Sequence, residues 1–255
     1  MKAMHKPNFV LVISGVPGAG KSTLIQELCQ VLGNAVTLHF DDYGATSVYP
    51  EDFKGWVRSG GDPDAWQTPQ LIRDLQSLRA GVAVAHPRSQ SVIEPQPVIL
   101  VEEPFGRARA EMGGLVDFAV HINLPLDVAL IRLLRRMLAE DVAELEEKRQ
   151  GCSSVVEGLF RLYLDDSMRD LFQCSDGSAA GSADLILNGL QTPHELTAAL
   201  LEGMQSQIAG FHPALFSIGQ EGSPSLAQHD AAPDAPPPCA LWGRRTVLFR
   251  CLPTA

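Results

Sequence analysis

At 255 residues, with 45% hydrophobic and 20% charged side chains, the chain is sized for one well-buried domain with a small appendage. Its formal net charge of −10 argues against DNA or RNA as a partner, because tracking a phosphate backbone needs a cationic face. A small phosphorylated ligand needs only a local positive pocket and stays open. The five cysteines (Cys29, Cys152, Cys174, Cys239, Cys251) form no CxxC pair, so neither a zinc site nor a disulfide framework is indicated, and they read as reduced thiols of a cytoplasmic protein.

In chain order, the β-branched run NFVLVI (8–13) is too short for a signal h-region or a membrane span and suits a central strand buried on both faces. GVPGAGKS follows, then a helix with Leu24, Ile25, Leu28, Val31 and Leu32 at helical spacing, closed by Gly33-Asn34. AVTLHF (35–40) reads as a second strand, and residues 44–61 as irregular chain. Thr68-Pro69 opens a helix that runs to Gly81, and 82–97 resembles a surface hairpin or loop. PVILV (97–101) and FAVHI (118–122) are further strands.

A long helix then starts at Leu124-Pro125-Leu126-Asp127, with a flexible helical lid expected near 136–150. Another helix is expected over about 153–172, a last strand at 184–189 and a last helix from Thr192-Pro193 to about Gln205. Strands alternating with helices predict an α/β fold with a doubly wound parallel sheet. Residues 1–207 are expected to form that domain, and the Pro/Ala-rich 208–255 a disordered tail dispensable for catalysis.

Gly15-Val16-Pro17-Gly18-Ala19-Gly20-Lys21-Ser22, with Thr23 behind it, satisfies GxxxxGK[ST] between a strand and a helix. Glycines let the backbone N–H groups face phosphate oxygens, the lysine reaches the β- and γ-phosphates, and the serine hydroxyl binds Mg²⁺. The motif therefore predicts the P-loop NTPase fold with ATP and Mg²⁺ as cofactors. Asp41 and Asp42 end the second strand, on the rim where parallel strands present their carboxyl ends, so either could act as base toward a substrate hydroxyl and bind the metal. Glu102 and Glu103 end the third apolar strand. Side chains alternate there, so one faces the site and the other turns away; Glu102 is preferred for magnesium.

Arg132, Arg135 and Arg136 share one helix face, either as a clamp on the triphosphate or as a solvated basic surface. His39 and His121 read as core or strand-end residues, and Trp56 and Trp66 as packing or the wall of a substrate pocket.

GVPGAGKS, FDDY, the PDAW segment before a helix ending LRAG, VEEPFGR and PLDVALIRLLRR, spread over about residues 8–205, together resemble the uridine kinase and phosphoribulokinase-like group of P-loop kinases. The resemblance implies transfer of the γ-phosphate of ATP to a hydroxyl of a nucleoside or ribosyl-type small molecule. It also implies magnesium shared by Ser22, Asp41 and Glu102, with Asp41 as base, and lid arginines at Arg132, Arg135 and Arg136. No membrane or nucleic-acid partner is implied, and a homo-oligomer is not excluded. The chain departs from the group where Gly60-Gly61 precedes PDAW in place of a Phe-Asp pair. Ala139-Glu140 likewise stands for the lid's RD, and His86 or Arg88 for the expected hairpin contacts. The alternative reading is a P-loop ATPase or GTPase acting as a switch without an acceptor, although DDYG follows the P-loop too soon for a GTPase switch and no NKxD motif exists.

Overall fold

In the computed structural model, β1 (Phe9–Ser14) is buried almost throughout, as a strand covered by helices on both faces must be. The structure describes residues 8–145, 157–158, 160–161, 163–164 and 168–208; side chains of 137–145 are not described. The tail from 209 onward and the last part of the lid expected near 136–150, residues 146–150, lie outside the described residues; 136–145 continue a helix.

Five parallel strands form the sheet in the order β2 (Ala35–His39), β5 (Val98–Glu102), β1, β6 (Phe118–Asn123), β7 (Leu185–Asn188). Helix α1 (Lys21–Leu32) returns from β1 along the sheet, burying Leu24, Ile25, Leu28 and Leu32. Of the hairpin or loop expected over 82–97, the hairpin is present, as β3 (Val84–Ala85) and β4 (Val92–Ile93), paired antiparallel outside the main sheet.

The stretch expected to be irregular carries α2 (Phe53–Arg58), where Asp52 caps the helix by accepting from Gly55 N at 2.8 Å. Six residues are too few for a periodic apolar signal, so the cap and the burial of Trp56 decide it. Helix α3 (Pro69–Arg79) starts at Thr68-Pro69 as expected. The short α4 (Ala110–Gly113) was not anticipated. Helix α5 (Leu126–Leu145) carries the arginine cluster.

Helix α6 (Met168–Gly181) runs nine residues past the end expected at 172, through QCSDGSAAG. Glycine and serine disfavour helix locally, but Ser175 and Ala179 are buried there and Ala179 lies against Gly106, so packing overrides propensity. Helix α7 (Pro193–Gln207) opens with a reciprocal capping box between Thr192 and Glu195.

Candidate active site

The carboxyl ends of β1, β2 and β5 meet at one rim. Register places Glu102 beside Ile13 on one side and His39 on the other, next to the start of the P-loop. Gly15, Gly18 and Gly20 all have positive φ. At Gly18 the requirement is twofold: φ is 90°, and a Cβ would sit 2.5 Å from the carbonyl oxygen of Ala129 on α5. Gly18→Ala should therefore push the loop off α5 and lower ATP affinity at least about tenfold. A fluorescent-nucleotide titration beside a melting curve checks this, and wild-type affinity would contradict the geometry.

Gly20 caps α1, whose first turn holds no acid, so the positive end of the helix faces the loop. Thr23 is exposed on that turn. Lys21 Nζ donates to Gly15 O (3.0 Å) and Val16 O (3.3 Å) and lies 3.5 Å from Glu102 Oε1. Ser22 Oγ donates to Glu102 Oε2 at 3.2 Å, and His39 Nδ1–H donates to the same oxygen at 3.0 Å, since an ionised carboxylate only accepts. Burial pushes the Glu102 carboxyl up. Lys21, then the His39 and Ser22 hydrogen bonds, outweigh burial and hold it at about 2.

The two aspartates have separate fates. Asp41 lies in a 3-10 turn over Phe40–Tyr43. Burial, followed by the charge of Glu102, pushes its carboxyl up to about 6. Asp42 is held by the β3–β4 hairpin: Arg88 Nε is 2.9 Å from Oδ1 and His86 Nε2 is 3.5 Å from Oδ2, while Arg88 also donates to the Asp41 carbonyl.

Glu103 turns away from the rim, into a fully buried contact with Arg109 Nη2 at 2.7 Å. Strand alternation sends neighbouring acids in opposite directions, and a cation six residues downstream receives the second.

Lys21, Ser22, Asp41 and Glu102 are thus gathered at one place. The three arginines are arranged differently: Arg132 Nη1 donates to Gly189 O at 3.0 Å, tying α5 to the turn after β7, whereas Arg135 and Arg136 are exposed. Trp56 and Trp66 are buried, their ring centroids 5.7 Å apart, and pack with buried Phe105 and half-buried Tyr49 and Phe53. His121 is buried and its Nδ1 meets Ser14 Oγ at 3.2 Å. Sequence reasoning missed His39 and Arg109 as parts of this region; neither has a motif, and only strand register or burial reveals them.

A family model of the viral superfamily 1 RNA helicase core domain matches residues 11–57. That stretch holds the strand–P-loop–helix unit and stops short of β5 and its acid. Over a much longer span the chain is 23% identical to a uridine kinase of Clostridium tetani, covering 74% of this chain and 97% of the relative. With a uridine kinase of Halobacterium salinarum it shares 23% identity, over 65% of this chain and 79% of that one. The chain is thus similar to uridine kinases over most of its length and theirs. Among solved structures, shikimate kinase from Acinetobacter baumannii in complex with shikimate superposes with a TM-score of 0.46 at 15% identity, covering 80% of this chain and 97% of that one. In this chain itself, five parallel strands are flanked by helices, with the P-loop at the end of β1. No helix among its described residues is long and apolar enough to cross a membrane.

Proposed function

We propose that this uridine-kinase-like chain transfers the γ-phosphate of ATP to a hydroxyl of a small metabolite of the nucleoside or ribosyl class. The observation that carries the reading is the pair of carboxylates beside the P-loop, one held ionised and one raised toward neutrality. Two acids whose surroundings drive them apart suit two tasks. Glu102, kept charged by Lys21, is suited to electrostatics and metal binding. Asp41, near 6, is suited to accepting a proton at neutral pH.

The donor set fits Mg²⁺, which takes one or two carboxylates together with substrate phosphates and water. Ser22, Asp41 and Glu102 would hold it, and when bound it would offset charge on the phosphates. The Gly15–Ser22 backbone and Lys21 would cradle the triphosphate. Asp41 would take the proton of the attacking hydroxyl, and release it to solvent after transfer. Asp42, engaged by Arg88 and His86, holds the hairpin over the same rim and is a poor candidate for the base. Arg132, Arg135 and Arg136 on α5 would supply the cations for the leaving phosphate, Arg132 while also donating to Gly189 O.

The test is ADP release from ATP and Mg²⁺ with and without a panel of nucleosides, ribosides and small alcohols. A jump with one acceptor supports the transferase and names its substrate class. A slow rate indifferent to every acceptor favours the switch or ATPase reading instead.

A further inference from the structure

Arg109 has a completely buried side chain, yet no phosphate-binding motif contains it. Its Nη1 donates to Trp66 O at 2.8 Å and to Glu111, and its Nη2 donates to Thr68 Oγ1 at 2.9 Å and to Glu103 Oε2. The guanidinium carbon lies 5.7 Å from the centre of the Phe40 ring. Each partner borders the site. Phe40 immediately precedes Asp41, Glu103 immediately follows Glu102, and Trp66 and Thr68 bracket the entry to α3, just after the PDA turn.

Stability does not account for this arrangement. Burying an ion pair costs about as much in desolvation as the pair returns, and well-packed apolar substitutes are often as stable or better. Arg109 also leaves its Nε without a hydrogen bond, a further cost. A planar fork supplies direction instead: several fixed contacts from one rigid group, which an ammonium cannot imitate. The Arg79–Asp117 pair shows the contrast. It likewise joins an arginine to a carboxylate, but with side chains 22% and 30% exposed, and touches neither acid-bearing strand end.

We propose that Arg109 is a positioning residue that sets the separation of Asp41 and Glu102, by gripping the residue beside each and fastening the acceptor-side segment to them. This rests on the transferase reading for what the two acids do, but its test does not depend on finding an acceptor.

Glu103→Leu/Arg109→Met removes both charges at similar volume, and Arg109→Lys keeps the charge without the fork. The readouts are melting temperature, affinity for a fluorescent ATP analogue without Mg²⁺, the Mg²⁺ concentration giving half of the metal-dependent gain in affinity, and turnover where an acceptor is known. The expected double variant is folded, with metal-free nucleotide affinity within about threefold of wild type because the P-loop is untouched. Its Mg²⁺ requirement should rise about tenfold. Turnover should drop about 100-fold at little change in KM for ATP, the size expected for a misplacement of about 1 Å. Arg109→Lys should move in the same direction.

A folded variant of either kind with a wild-type Mg²⁺ response would overturn the proposal and leave Arg109 a packing residue. If the double variant fails to fold, Arg109→Lys decides by the same criterion. A wild-type chain that binds ATP with Mg²⁺ but phosphorylates nothing would sink the transferase reading, with the Mg²⁺ response of the variants still deciding the positioning claim.

Discussion

Asp41→Asn is expected to lower phosphoryl transfer by about 10²–10⁴-fold while ATP affinity stays within about threefold, because the change removes a base and leaves the phosphate cradle intact. The wild-type kcat/KM should fall on the acid side as Asp41 takes up a proton near pH 6. The same substitution should make the nucleotide-free protein more stable at pH 8. Asp41 has its folded-state pKa raised, so its ionisation opposes folding, and the penalty grows as pH rises from its ordinary value of 3.8 through about 6. Asparagine escapes that penalty, on the order of 2–3 kcal/mol at full effect, or several degrees in melting temperature. Below about pH 4 both side chains are neutral and the gain should vanish. Unchanged turnover would remove Asp41 from the chemistry, and a melting difference independent of pH would show that the folded state does not raise its pKa.

Lys21→Ala should weaken nucleotide binding by about 10–100-fold, the loss expected for a hydrogen bond between charged groups. It should cut turnover further, by at least about 10², since the ammonium would act where charge develops in the transition state. A second consequence follows from the contact of Lys21 with Glu102, 3.5 Å away. Glu102 is a carboxylate with a depressed pKa, so its contribution to stability is present above about 4.5 and is lost as pH falls toward 2. Without Lys21, burial still pushes the carboxyl up while its main opponent is gone. The variant should therefore melt lower than wild type at pH 7 even without nucleotide. ADP release, a nucleotide titration and melting curves at two pH values check all three effects. Retained activity would contradict the P-loop reading.

Much of the α/β core was legible in the chain because its signals are local. NFVLVI is continuously apolar and β-branched, GVPGAGKS is a single contiguous motif, and Thr68-Pro69 and Thr192-Pro193 carry their own helix starts. Strand alternation alone predicted that Glu102 and Glu103 must part company. Which partner each acid meets was decided by the tertiary structure. Parallel pairing sets His39 and Ile13 beside Glu102 from positions far apart in the chain, and a buried guanidinium receives Glu103. The separate surroundings of Asp41 and Asp42 depended on a hairpin more than forty residues later folding back onto the second of them. Helix α6 likewise extends through SDGSAAG against its local propensity, because small residues there pack beside Gly106. The GxxxxGK[ST] loop and the succession of core strands and helices along the chain could be read directly, since both reside in short-range spacing. Burial pushes both acids up, and tertiary contacts alone bring Lys21, His39 and Ser22 to Glu102 to hold it charged while Asp41 is left raised, because pKa depends on neighbours in space and not along the chain.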